Sequence, residues 1–508
     1  MIVRHRILRL GTLPSSRYFS SFEFTVKLPT GIAYRQPTGL FISNEFVASN
    51  DGKQLTTYNP RSGKPIANVF VAGSPDVDYA VQTAESAFRS WRTTSGTDRG
   101  ILLYRLCGLI EEHKTLLGSI EAFDTGKPLD TVVTDDIQDC INVTRYYAGW
   151  ADKIHGYSIQ PFAEKFAYTL HEPFGVCALI VPWNYPLMLA LWKLAPAIAA
   201  GNTVVLKPSE LTPLSSLYLG NLITEAGFPP GVINILSGDG NTGAVLASHP
   251  RINKISFTGS ATTGKKIMHA AASNLIPVVL ELGGKSAAIV FEDADLEQAV
   301  KWCYSGIMSN SGQICSATSR ILIQESIYKK FVEMFKAYTI HRMSADPLDH
   351  GPQISDVQLE NVMQYVRSGI EEGAHLVYGG KEIIGPGYFM QPTIFADVRD
   401  HMKIAQEEVF GPVVVMDKFT TQSDAIQRAN SSTYGLASAI FTKSLTLAVD
   451  TSQKLEVGTV WVNSSQDSDF RVPFGGFKMS GFGQELGEYA VKNYLRPKAV
   501  HLNLGVSL

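Results

Sequence analysis

The sequence predicts an α/β protein built on parallel sheets, and two observations carry that prediction. Beyond residue 175, short β-branched runs at 175–181, 203–206, 232–236, 254–257, 278–280 and 287–290 alternate with stretches of helical periodicity. Runs apolar on both faces suit strands that crossover helices bury from either side. The alternation resumes from about Arg320 to Trp461, which implies a second α/β unit. At 508 residues, 45% of them hydrophobic, the chain has room for about two to four domains.

The first 22 residues differ from the rest. Arg4, Arg6, Arg9 and Arg17 are interleaved with Ile2, Val3, Ile7, Leu8, Leu10 and several serines, and no acidic residue precedes Glu23. That is the composition of a mitochondrial presequence, which points to the mitochondrial matrix. After a short strand region, apolar residues recur at helical spacing over 74–93 (Val77, Ala80, Val81, Ala84, Phe88) and again over 97–124. The segment 156–172 alternates Tyr157, Ile159, Phe162, Phe166, Tyr168 and Leu170, as an exposed hairpin would. Its apolar positions need cover, and a strand-like run at 499–504 is expected to supply it in another subunit.

Residues 174–192 form a run of 19 uncharged residues, long enough to pass a length test for a membrane span. Pro182, Asn184 and Pro186 break it, so it reads as a buried strand over 176–181, a loop, and a buried helix from about Leu187. No membrane insertion is expected. Lys plus Arg total 44 against 47 Asp plus Glu, so no bulk charge draws the chain to nucleic acid. Cys107, Cys140, Cys177, Cys303 and Cys315 are odd in number and lack zinc spacing, which favours free thiols in a reducing compartment; no metal site is visible.

The chemistry concentrates in a few motifs. Cys315, in Ser311-Gly312-Gln313-Ile314-Cys315-Ser316, follows Glu281, in Leu280-Glu281-Leu282-Gly283-Gly284-Lys285, by 34 positions. A thiol that attacks a carbonyl and a carboxylate that activates water are the groups needed to make and hydrolyse a thioester. Gly238-Asp239-Gly240-Asn241-Thr242-Gly243 matches the GxGxxG dinucleotide fingerprint, but no Asp or Glu lies between Asp239 and Glu281 to meet a ribose. A dinucleotide loop and a plain strand-to-helix turn are equally compatible with it. A second turn, Phe257-Thr258-Gly259-Ser260, precedes an amphipathic helix whose N-terminus suits a pyrophosphate. Lys207-Pro208-Ser209-Glu210 ends another strand, where open parallel sheets present ligand loops.

Together with Pro182-Trp183-Asn184-Tyr185-Pro186, Glu407-Glu408-Val409-Phe410-Gly411-Pro412 and Pro473-Phe474-Gly475-Gly476-Phe477-Lys478, these motifs resemble, in order, those of the NAD(P)-dependent aldehyde dehydrogenase superfamily. The resemblance covers about residues 38–502, and the N-terminal stretch looks like that of fungal mitochondrial aldehyde dehydrogenases. It implies an aldehyde dehydrogenase-like fold: a presequence (1–22), a Rossmann-type cofactor domain (23–149 and 172–283), a catalytic α/β domain (284–483) and a small β oligomerisation extension (150–171 and 484–508). It further implies a homodimer or homotetramer.

By the same resemblance Cys315 is the nucleophile, Asn184 and the Cys315 N–H are oxyanion donors, and Glu281 is the base that activates water. NAD, with NADP as an alternative, falls to Ile180, Val181, Trp183, Lys207, Ser209, Glu210, Gly240, Phe257, Gly259, Ser260, Leu282, Glu408 and Phe410. The cofactor then lies on the helix after Gly259, and the Gly238 turn shapes a neighbouring wall. Glu210 is expected to disfavour a 2′-phosphate. Lys193 and Glu485 match positions that assist proton movement from Glu281.

Tyr185, Leu189, Trp192, Ile314, Ser316, Ser468 and Phe474 match pocket-lining positions. Ser468 stands where related acetaldehyde enzymes often carry an aromatic ring, and Asp467, Asp469 and Arg471 make that loop polar. Acetaldehyde or another aliphatic aldehyde is the expected substrate, with amino-aldehydes as the alternative. A CoA-acylating enzyme is disfavoured by the carboxylate at Glu281, and a non-catalytic structural member by the joint presence of Asn184, Glu281 and Cys315.

Overall fold

The computed structural model describes residues 22–508, so the presequence reading lies outside the described residues except at Phe22, whose ring packs on Phe70. Two large sheets organise the rest. The first has eight strands in the order Gly481–Phe482, Val278–Glu281, Lys254–Thr258, Val176–Ile180, Thr203–Lys207, Ile233–Ile235, Leu40–Ile42, Glu45–Val47. Its five central strands are parallel, and four are buried along their whole length, which is why most of their positions are apolar.

The second sheet has seven strands in the order His375–Tyr378, Thr393–Ala396, Val413–Phe419, Arg320–Gln324, Ala287–Val290, Ala437–Phe441, Thr459–Val462. The run at 287–290, grouped by its rhythm with the preceding five, belongs here. Leu282 to Ser286 carry the chain across, so the segment after Glu281 passes from one sheet to the other.

In the N-terminal region Val77, Ala80, Val81 and Ala84 form the fully buried stripe of the helix Ser74–Trp91. The helical spacing over 97–124 is realised as two helices, Gly96–Glu112 and Lys114–Thr125. His113 leaves helical geometry (φ −90°, ψ 11°), and its Nδ1 lies 3.1 Å from the Tyr218 hydroxyl. A tertiary partner overrides the local period there.

The lower helix, Lys114–Thr125, caps two others. Glu121 accepts the backbone N–H of Leu187 at 3.1 Å in Pro186–Ala199, and Asp124 accepts that of Leu214 at 3.0 Å in Leu214–Ala226. Both helices lack a side-chain cap of their own, so buried carboxylates from a third helix satisfy their first turns. Burial pushes the Glu121 carboxyl up to about 7 and Asp124 well above the carboxylate range.

A small sheet joins Ser158–Phe162, Lys165–Pro173 and Leu495–Asn503. The C-terminal strand pairs with the hairpin over nine residues within the same chain, from Leu495 opposite Pro173 to Asn503 opposite Lys165. This corrects the expectation that it pairs in another subunit. Nine in-register pairs need no second chain; Lys165–Pro173 lies at the centre, and each outer strand, Ser158–Phe162 and Leu495–Asn503, keeps one edge unpaired. No helix among the described residues is long and apolar enough to cross a membrane.

Candidate active site

All five parallel strands of the first sheet release their chain at the same edge, the place where open α/β sheets bind ligands. Ile180 and Val181 leave one strand there, Lys207, Ser209 and Glu210 the next, and Phe257, Gly259 and Ser260 another. Gly240 opens the helix Gly240–Ser248, capped by Asp239, and Ser260 caps Ala261–Ala272 through Thr263 N–H. Leu282 follows Glu281 at the edge of the last strand, and Gly259 N–H donates to the Glu281 carbonyl at 3.0 Å.

Opposite this edge stands a loop of the second sheet. Glu408 accepts the N–H of Gly284 at 3.1 Å, and the Phe410 and Trp183 rings meet edge to face at 5.4 Å. The sequence-predicted cofactor residues therefore stand at or after the ends of these strands and on the loop that faces them. Their chemistry fits a dinucleotide. Lys207 is a buried ammonium that spends one hydrogen bond on the Pro208 carbonyl at 3.0 Å and lies 3.6 Å from Glu210. Glu408 is a buried carboxyl, pushed up to about 7 by burial. A donor with bonds to give and an acceptor with lone pairs to spare suit two sets of ribose hydroxyls. At Gly240 a Cβ would enter open space.

Cys315 sits on an unusual turn. Asn310, Ser311 and Gly312 all take left-handed φ values, 48°, 55° and 72°. At Gly312 a side chain is also excluded by packing, since a Cβ would lie 2.0 Å from the Gly411 carbonyl. Gln313 holds the turn from within: its Nε2 donates to the Asn310 and Pro352 carbonyls, and its Oε1 accepts from Ile354 N–H. This turn delivers the thiol to a cavity of about 530 Å³ whose wall also includes Asn184 and Glu281. The three residues singled out as catalytic share that one cavity.

Asn184 is fixed from two sides. Its Nδ2 donates to the Gln313 carbonyl at 3.1 Å, and its own carbonyl accepts from Asn310 Nδ2 at 3.2 Å. An amide carries two N–H groups, so one remains to serve a ligand. Glu281 is buried with neither carboxylate oxygen hydrogen-bonded, and burial, reinforced by the Glu485 charge and opposed by Lys193, raises it well above its ordinary value. Lys193, fully buried, donates to Thr258 Oγ1 at 2.7 Å and pairs with Glu485. Burial pushes the Cys315 thiol up to about 12; the Glu408 and Glu281 carboxyls add to the rise, and the Ser316 and Cys315 N–H groups oppose it.

Residues 46–500 match the model of the aldehyde dehydrogenase family. The chain belongs to that family. This aldehyde dehydrogenase is 49% identical over 491 residues to an aldehyde dehydrogenase of Aspergillus niger, covering 95% of this chain and 99% of that one. It is 50% identical over 490 residues to aldehyde dehydrogenase [NAD(P)+] 1 of Saccharomyces cerevisiae, with 94% and 97% covered. The structure of an aldehyde dehydrogenase from Bacillus cereus in complex with NAD+ superposes with a TM-score of 0.90 at 43% identity, covering 92% of this chain and 97% of that one.

Three features of this aldehyde dehydrogenase's cavity escaped the sequence reading. Ser316 and Gln466 clasp each other, Ser316 Oγ donating to Gln466 Oε1 at 2.7 Å and Gln466 Nε2 to the Ser316 carbonyl at 2.9 Å. Lys127 pairs with Asp136 at 2.7 Å, both nearly inaccessible, while its ammonium lies 3.4 Å from the Tyr185 ring centroid. Asp139 accepts the Trp192 indole N–H at 2.6 Å. Only Lys127-Asp136 carried a signal, an opposite-charge pair within ten residues, and its spacing fits no simple helical contact.

Proposed function

We propose that this enzyme oxidises an aldehyde to its carboxylic acid with NAD, and with NADP as a second acceptor, through covalent chemistry on Cys315. The observation that carries the reading is the convergence of Cys315, Glu281 and Asn184 on one cavity, with Glu281 on the same sheet edge as Lys207 and Gly259. Cys315 attacks the aldehyde carbon as thiolate and forms a thiohemiacetal. The Asn184 amide and the Cys315 N–H stabilise the oxyanion as charge develops. NAD, when bound, supplies the hydride acceptor that turns this tetrahedral adduct into a thioester. Glu281, its oxygens free of other partners, takes a proton from water, which attacks the thioester and releases the thiol. Aldehyde, water and NAD thus give carboxylate, NADH and protons.

Lys207 and Glu408 would hold ribose hydroxyls, the N-terminus of Ala261–Ala272 the pyrophosphate, and Trp183 and Phe410 the ring end; Ile180, Val181, Ser209, Gly240, Phe257, Ser260 and Leu282 complete the walls. Glu210 favours NAD over NADP. Lys193 and Glu485 carry protons away from Glu281. An aliphatic aldehyde such as acetaldehyde is the starting expectation for the substrate.

The Arg- and Ser-rich N-terminus supports import into the mitochondrial matrix, and the exposed strand Ser158–Phe162, with Ile159 and Phe162 uncovered, supports a homodimer or homotetramer. Absorbance of NADH on mixing purified protein, NAD and aldehyde tests the reaction. Wild type should form NADH and Cys315→Ala should not; NADH formation by the variant would reject the assignment.

A further inference from the structure

The cavity that contains Cys315 also carries an anionic wall. Asp135, Asp136 and Asp139 all line it. They lie on and just beyond a π turn, Val132–Asp136, that runs into the helix Ile137–Trp150. Such turns are rare and cluster at functional sites. Most acidic groups nearby are neutralised: Asp136 by Lys127, Asp349 by Arg342, and Asp469 by Arg471.

Asp139 differs from these. Among the described residues no cation stands within ion-pair distance of it. Its Oδ2 accepts from Trp192 Nε1, which fixes the carboxylate, and its Oδ1 has no hydrogen-bond partner. The Trp192 ring packs edge to face on Phe474 at 5.7 Å, and Trp302 and Tyr304 line the same cavity.

We infer that the substrate carries a cationic nitrogen remote from its aldehyde carbon, and that Asp139 determines specificity by seating that nitrogen. This rests on the aldehyde-oxidation reading and names the substrate class of the same site. A fixed carboxylate with a free oxygen gives an ammonium a charge-assisted hydrogen bond, and the faces of Trp, Tyr and Phe attract the same charge. Burial pushes Asp139 up to about 6, the Trp192 bond opposing and Asp136 and Asp469 adding, and an ammonium seated beside it favours the ionised form. An aldehyde bearing a carboxylate meets repulsion at the same point.

Pairs of aldehydes alike in shape and different in charge test the inference: 3-aminopropanal against butanal, and trimethylammonioacetaldehyde against 3,3-dimethylbutanal. Wild type should show the higher kcat/KM for the cation in at least one pair. Asp139→Asn, which keeps an oxygen for Trp192, should reduce that cation-to-neutral ratio about tenfold or more, and Asp139→Glu should restore part of it. A melting curve and circular dichroism, independent of activity, report whether each variant is folded. Should Asp139→Asn not fold, wild type alone decides, because butylammonium should inhibit butanal oxidation more strongly than butyrate does. A ratio unchanged by Asp139→Asn, a preference for the neutral member in both pairs, or equal inhibition by the two ions overturns the inference. No NADH from any aldehyde would instead defeat the aldehyde-oxidation reading, and this inference with it.

Discussion

The backbone of Gly284 passes so close to Cys315 that a Cβ on Gly284 would lie 2.4 Å from the Cys315 carbonyl oxygen. The strand end that carries Glu281 and the turn that carries the thiol are thereby pressed together without a side chain between them. Gly284→Ala should push the Cys315 turn away from Asn184 and lower kcat at least about tenfold, because small displacements of reacting groups are costly. Steady-state kinetics with a melting curve checks it, and a folded variant of wild-type activity would show that the contact is not needed for alignment.

Glu281→Gln separates the two halves of the reaction. The thioester should still form, giving one rapid equivalent of NADH, while steady-state turnover falls about 10²- to 10⁴-fold. Rapid-mixing absorbance distinguishes burst from turnover. Because burial raises the Glu281 carboxyl, and only its deprotonated form accepts a proton from water, wild-type deacylation should fail on the acid side at a pH well above the ordinary carboxylate range.

Lys193 and Glu485 form an ion pair with almost no solvent contact. Lys193→Met strands a buried carboxylate and should cost about 3–5 kcal/mol in unfolding free energy. The double variant Lys193→Met with Glu485→Leu should recover most of that loss. Denaturant titration measures both, and additive losses in the double variant would mean the pair is not coupled.

Asp124 predicts how stability depends on pH. Its carboxyl is raised in the folded protein, so below its ordinary value folded and unfolded chains are both protonated, and as pH rises the unfolded chain releases its proton first. Stability is therefore lost between the ordinary value and the raised one. Asp124→Asn keeps an oxygen for the Leu214 N–H and removes the titration, so its melting temperature should gain on wild type as pH rises from 4 towards 8, in pH units taken about the carboxylate range. A constant difference across that series would refute the assignment.

Glu210→Ala should raise the ratio of NADP to NAD kcat/KM about tenfold by removing a negative charge beside Lys207. An unchanged ratio removes Glu210 as the discriminator.

What the sequence discloses and what it hides divide along a physical line. Strands such as Val176–Ile180 and Thr203–Lys207 are legible because burial on both faces favours successive apolar residues, as at Val204, Val205 and Leu206. Cys315, Glu281 and Asn184 stand out because each sits in a distinctive local motif, and the fold brings them to one cavity. Hidden features depend on distant partners. His113 breaks a helix for Tyr218, Glu121 and Asp124 cap helices that begin far along the chain, and Gln466 clasps the residue next to Cys315 from 150 positions away. Local periodicity carries no record of such partners. The C-terminal strand shows the same limit, since an alternating pattern announces a strand but not whose edge it joins.

The two-residue strand Gly481–Phe482, hydrogen-bonded beside Leu280 and Glu281, has a consequence for how the enzyme is made. A ribosome completes the first sheet's parallel core long before it reaches these residues, so a nascent chain that ends short of them leaves Val278–Glu281 as a bare edge. The Glu281 carboxylate gains its full surroundings only at the close of synthesis, when Glu485 also arrives. A fragment ending before Gly481 would offer other chains an unpaired strand.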